Sequence, residues 1–225
     1  MSISLDEAVE LTRTGDVWVF RGRSVPDRAI QLTTNSPVNH VGMAVVLDDM
    51  PPLMWHAELG RALPDLWSGS HQRGVQLHDL ADAVRVWANR YGQRAWLRQL
   101  DPPADGEMEN AVLRTIARLD GTPFPSTAQL AWRWVRGRVP QLPRPGGRGP
   151  RRGAGGARPV AVPDRTLETA YCAEVVAVTY EAMGLLAPGR RPNWYDPGRF
   201  WSGDDLDLAG GARLGSEIEV RVPAR

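Results

Sequence analysis

The chain contains one cysteine, Cys172, and it opens an apolar run, Ala170-Tyr171-Cys172-Ala173-Glu174-Val175-Val176. Far upstream, His40 opens another, Asn39-His40-Val41-Gly42-Met43-Ala44-Val45-Val46. A thiol at a helix start lies near unpaired backbone amides and the positive end of the helix dipole, and both favour the thiolate. The amide of the cysteine itself can point at a developing oxyanion. An imidazole at a strand start can take the thiol proton, provided a third group holds the ring in place. The chemistry these residue types allow is thiolate attack on a carbonyl. A free cysteine is also often a small buried apolar residue. Cys172, Val175, Val176, Thr179 and Met183 share one helical stripe, so taken alone this thiol fits a core better than an active site.

The third group is sought in the hairpin that His40 begins. A strand over 40–47, a turn at Asp48-Asp49-Met50-Pro51 and a return strand over 53–57 place His56 16 positions after His40. Side chains of adjacent antiparallel strands that share a face approach to roughly 5 Å, so His56 can orient His40. Glu58, two residues on, would share that face and is a rival for the role. His40, His56, Glu58 and Cys172 could also bind zinc. No compact H-x-x-x-H or C-x-x-C pair is present, and the sequence assigns neither a metal nor another cofactor. His71 and His78 stand in polar surroundings and receive no role.

The elements that must hold these residues read as a mixture of helices and strands. Ser4-Leu5-Asp6-Glu7 fits a capping box ahead of a helix that stops near Gly15. The run 17–20 is β-prone and 26–33 reads as a short helix. The segments 75–77 and 83–88 read as strands, and 93–100, 107–119 and 127–135 as helices. A helix over 170–183 carries the cysteine, an element at 192–201 follows, and a strand over 216–222 closes the chain. From about 136 to 163 proline, glycine and arginine dominate, and such a stretch cannot bury enough apolar surface to offset its ordering entropy. It reads as a disordered insertion within one domain that covers 1–225.

Composition narrows the class. The length of 225 residues suffices for a substantial core, and the net charge of +1 names no partner by bulk electrostatics. All 27 basic residues other than histidine are arginine. One cysteine forbids an intramolecular disulfide and leans toward a reducing compartment. The N-terminus lacks the pattern of a signal peptide, and no apolar run approaches the roughly 20 residues of a bilayer span, so a soluble, cytoplasmic protein is expected.

Several boxes resemble a known family. Gly15-Asp16-Val17-Trp18-Val19-Phe20 resembles the opening motif of NlpC/P60 proteins, with one extra residue before the phenylalanine. Ser36-Pro37-Val38-Asn39-His40-Val41-Gly42 is similar to the histidine box of the circularly permuted branch. Met54-Trp55-His56-Ala57 is similar to the box of the third catalytic residue, and Tyr171-Cys172-Ala173-Glu174-Val175-Val176 to that of the nucleophile. Tyr195-Asp196-Pro197-Gly198-Arg199-Phe200 resembles the segment that follows. The order carries the resemblance: histidine comes first and cysteine 132 positions later. That is the permuted arrangement of the YiiX/YaeF-like proteins and the lecithin:retinol acyltransferase-like group. Histidine at position 56 replaces a frequent glutamate, Asn39 stands for serine, and Ala173 replaces the serine after the cysteine.

The resemblance implies an α+β permuted papain-like fold, with an antiparallel sheet packed on the helix of the nucleophile. It implies Cys172 as nucleophile with its amide at the oxyanion, His40 as base and His56 as orienter, with Glu58 still a rival. The expected activity is that of a cysteine peptidase or amidase-type hydrolase acting on a peptide, amino-acyl or lipid carbonyl through an acyl-enzyme. A lipid acyltransferase or phospholipase, or a catalytically silent binding module on the same fold, stands as the alternative. Expected partners are a small peptide or lipid substrate and no nucleic acid. Trp132, Arg133, Trp134 and Arg136 mix indoles with arginines in a way suited to weak contact with a membrane surface.

Overall fold

A computed structural model describes residues 2–22, 37–58, 61–122, 172–202 and 206–224. The short helix expected over 26–33, the helix over 127–135, the tryptophan–arginine run and the arginine-rich stretch lie outside the described residues.

The described chain is mixed α and β. Strand β1 (Ser2–Ser4) runs into helix α1 (Leu5–Leu11), and β2 (Val17–Arg21), β3 (His40–Val45), β4 (Leu53–Glu58) and β5 (Gly74–Asp79) follow. Helix α2 (Leu80–Tyr91) leads to β6 (Arg94–Arg98) and the short β7 (Leu100–Asp101). Then come α3 (Gly106–Leu119), α4 (Cys172–Ala182), 3-10 turns at Pro192–Trp194 and Pro197–Phe200, and strands β8 (Arg213–Leu214) and β9 (Ile218–Arg221). Seven strands form one sheet in the order β1-β9-β6-β2-β3-β4-β5. Only the β1–β9 pair in it is parallel.

The register divides the side chains into two buried layers, because alternate residues of a strand point to opposite faces. Trp18, Phe20, Ala44, Met54, Ala95 and Leu97 lie on one face, where Leu5 and Ala8 of α1 and Leu80, Ala83, Val84 and Trp87 of α2 cover them. Val17, Val19, Val41, Met43, Val45, Leu53, Trp55, Ala57, Val75 and Leu77 lie on the other. There they meet Val112 and Ile116 of α3 and Cys172, Val175, Val176 and Tyr180 of α4.

Local chemistry explains the elements that hold the site. The Ser4 capping box forms, with the Glu7 amide on Ser4 Oγ and the Ser4 amide on the Glu7 carboxylate. Gly15 has a φ of 90°, and a Cβ there would come within 2.9 Å of Leu100 Cδ2. The neighbouring Asp16 takes the amides of Arg13 at 2.9 Å and Leu100 at 2.8 Å, while its own carbonyl accepts from the Ala44 amide at 2.8 Å. The Tyr180 hydroxyl donates to the Gly15 carbonyl at 2.5 Å, so this loop ties β2, β3 and α4 together.

Two elements differ from the sequence reading. The segment 83–88 is helical, inside α2, whereas the alternation of Val84, Val86 and Ala88 with Arg85 and Trp87 imitates a strand. Its ends decide the matter: Asp79 caps the first turn by accepting from the Asp82 amide, and Gly92 closes the last turn in the left-handed conformation. The segment 93–100 is extended, not helical. Ala95 and Leu97 fill one layer while Trp96 and Arg98 are buried on the opposite side, which is a period of two. Arg98 is satisfied by the carbonyls of Phe200, Leu214 and Gly215 at 2.6, 3.1 and 2.7 Å.

Helix α4 is held by packing more than by propensity. Val175, Val176, Val178 and Thr179 are β-branched and form helices poorly, yet every residue from Cys172 to Tyr180 is buried. Thr179 donates to the Val175 carbonyl at 2.7 Å and accepts from Trp55 Nε1 at 3.1 Å, which joins the helix to β4.

Candidate active site

The strand pairs Met43–Trp55, Ala44–Met54 and Val45–Leu53 fix the hairpin register. One step further Gly42 lies against His56, and a Cβ on Gly42 would sit 3.3 Å from the Cβ of His56 and collide with Met54 Sδ. His40 is then the diagonal neighbour of His56 on the same face. Their rings meet with His40 Nε2 3.2 Å from His56 Nδ1. Gly42→Ala is expected to cost about 1–3 kcal/mol through overpacking. A fall in the denaturation midpoint at constant slope would show it.

The line of imidazoles continues into β5, where Met54 pairs with His78 and His56 with Gln76. His56 Nε2 lies 3.0 Å from His78 Nδ1, and His78 Nε2 lies 3.2 Å from Gln76 Oε1. Glu58 Oε2 stands 3.6 Å from His78 Nδ1 and 4.0 Å from His56 Nε2. Its other oxygen accepts from Trp87 Nε1 at 3.2 Å. The Trp87 ring packs edge-on against His40, His56 and Phe20, with centroids 4.7, 4.8 and 4.5 Å away. It is His56, then, whose ring nitrogen meets His40, while Glu58 reaches His56 and His78.

With the Gln76 amide turned so that Oε1 faces His78 Nε2, the tautomers run one way along this line. Gln76 Oε1 can only accept, so His78 carries its proton on Nε2 and accepts at Nδ1. His56 then donates from Nε2 and accepts at Nδ1, and His40 donates from Nε2. The open lone pair of the line is His40 Nδ1. Burial keeps all three rings neutral near neutral pH. It pushes His40 down to about 3 and His78 down to about 4, and it holds His56 well below the ordinary histidine range, helped there by His78 and His40. Burial also raises Glu58 to about 7, against the opposing effect of the Trp87 N–H.

Cys172 is the first residue of α4, as the sequence places it, and it is 1% exposed. Its thiol is pushed up to about 12 by burial, with the backbone N–H of Val41 pulling the other way. Val41 follows His40 directly, so thiol and imidazole belong to the same end of β3. Their side chains, however, lie on opposite faces. His40 points into the layer of Phe20 and Trp87, and Cys172 packs in the layer of Val41 and Met43. The structure therefore brings His40, His56 and Glu58 together on the α2 side of the sheet and places Cys172 across it.

Three participants were not singled out by the sequence: His78, Gln76 and Trp87. The signal for the first two was the alternation Val75-Gln76-Leu77-His78, which puts both polar side chains on one face of a strand beside His56. Trp87 was hidden by reading 83–88 as a strand.

No protein-family model matches the sequence, and no curated protein matches it. Among solved structures, the fold is similar to that of the metalloprotein YiiX from Escherichia coli O157:H7. The TM-score is 0.45 at 20% identity, over 76% of this chain and 65% of that one. At this likeness nothing of the neighbour's chemistry transfers. The described chain is an α+β protein with a mostly antiparallel sheet and four helices. Among the described residues no helix is long and apolar enough to cross a membrane.

Proposed function

We propose that the protein is a cysteine hydrolase of the permuted papain-like, NlpC/P60-related type, with Cys172 as nucleophile, His40 as base and His56 as the residue that orients the base. The observation that carries this reading is the hydrogen-bonded line Gln76–His78–His56–His40. It leaves His40 Nδ1 as the open acceptor one residue from the peptide N–H that meets the thiol. In papain-like chemistry the base uses one ring nitrogen for the thiol and the other for the orienter. Proton transfer here needs a shift at the first residue of β3 that carries His40 Nδ1 to Cys172 Sγ. His40 takes the thiol proton, the sulfur attacks an amide or ester carbonyl, and the leaving group departs with that proton. Water then releases the acyl group. The Cys172 amide and the positive end of α4 favour the oxyanion.

A silent binding module on the same fold is the second reading. The burial of Cys172 and the position of its thiol across the sheet from His40 favour it. Covalent labelling distinguishes the two. Selective modification of Cys172 by a small electrophilic acyl probe near neutral pH, read by intact mass and lost in His40→Ala, supports the enzyme. Inertness of the wild type supports the module. The substrate of the enzyme is a peptide, amino-acyl or lipid carbonyl compound.

A further inference from the structure

We propose that His56, Glu58 and His78 form a binding site for a divalent transition-metal ion of the zinc type. The three donors come from adjacent strands of one rigid sheet, with His56 and Glu58 on β4 and His78 on β5. Zinc–ligand bonds of about 2.0–2.1 Å in tetrahedral geometry place ligand atoms roughly 3.3 Å apart. The donor atoms here are separated by 3.0, 3.6 and 4.0 Å, which brackets that edge. Two histidines with one carboxylate suit zinc among divalent ions and leave a coordination position open.

The surroundings are those of a metal site. Ligating histidines almost always donate their second N–H to a fixed acceptor. His78 has Gln76 Oε1 at 3.2 Å, and His56 has His40 Nε2 at 3.2 Å. The carboxylate is held by Trp87 Nε1 through the oxygen that does not face the histidines. All three side chains are buried, and a carboxylate beside two neutral imidazoles away from water is costly without a cation. Cys172 lies on the other face and is no part of the site.

Metal at His56 Nε2 would require that ring to carry its proton on Nδ1 and donate it to His40. His40 would then hold its own proton on Nδ1, the opposite of the tautomer the hydrolase needs. This consequence rests on the hydrolase reading; metal binding does not.

Titration of the metal-free full chain with Co(II), followed by visible absorption, and with Zn(II), followed by calorimetry, tests the site. One equivalent per chain is expected, with d–d bands of four- or five-coordinate Co(II). Affinity should fall about 10–100-fold or more in His78→Asn and in Glu58→Gln. His71→Asn and Cys172→Ala should bind as the wild type does, and the latter separates this site from the thiol chemistry. Circular dichroism checks the fold of each variant, and Glu58→Gln decides if His78→Asn does not fold. Absence of one-equivalent binding in the wild type, or unchanged affinity in a folded His78→Asn or Glu58→Gln chain, overturns the proposal.

Discussion

Replacing Cys172 with alanine is expected to abolish turnover of an activated ester or amide and to leave the chain cooperatively folded. Cys172 supplies the one thiol of the chain, so the variant removes the proposed nucleophile outright. Its removal from the layer of Val41, Val175 and Val176 opens a void of about one methyl group, which costs on the order of 1 kcal/mol. His40→Ala should keep the nucleophile and lose the base, with a fall of about 10²–10⁴ in rate. Steady-state kinetics beside thermal unfolding checks both variants. Undiminished turnover by the alanine variant at position 172 would remove the thiol from the mechanism.

The largest expected effect on stability is at Trp55. Its side chain is fully buried between the sheet and α4, and its indole N–H is bound to Thr179. Trp55→Ala should cost about 3–5 kcal/mol, a large part of the 5–15 kcal/mol typical of a domain. Because the tryptophan fixes β4 to the helix of Cys172 while its neighbour His56 faces the opposite layer, the loss would also loosen the relation between the two faces. Denaturant unfolding measures the first effect. A midpoint within experimental scatter of the wild type would show that Trp55 is not holding α4.

Much of this arrangement was legible in the sequence where short-range rules decide. The capping box of α1, the hairpin of β3 and β4 and the helix of Cys172 follow from caps, alternation and spacing. The approach of His56 to His40 depends on the register as well: with Met43 opposite Trp55 the two share a face, and a loop one residue shorter would have put them on opposite faces. What no local rule could tell is which face α4 covers. Strand β3 is apolar on both sides, with Val41, Met43 and Val45 toward α4 and Gly42 and Ala44 toward α2, so its alternation does not point to the thiol. Segments 83–88 and 93–100 exchanged their types for a related reason. A six-residue alternation fits an amphipathic helix with small residues as well as a strand, and only the caps at Asp79 and Gly92 separate them. His78 went unassigned because its partner His56 stands on the neighbouring strand, 22 residues earlier in the chain.

In the proposed mechanism His40 activates Cys172, and that activation is read from the pH dependence of alkylation of Cys172. The rate with iodoacetamide, read by intact mass, is measured for the wild type and for His40→Ala. If the imidazole serves the thiol, the wild-type rate reaches a plateau near neutral pH and falls by about 100-fold or more in the variant. If both chains react at the same rate, rising about tenfold per pH unit toward the ionisation near 12 that burial gives an isolated thiol, His40 does not activate Cys172.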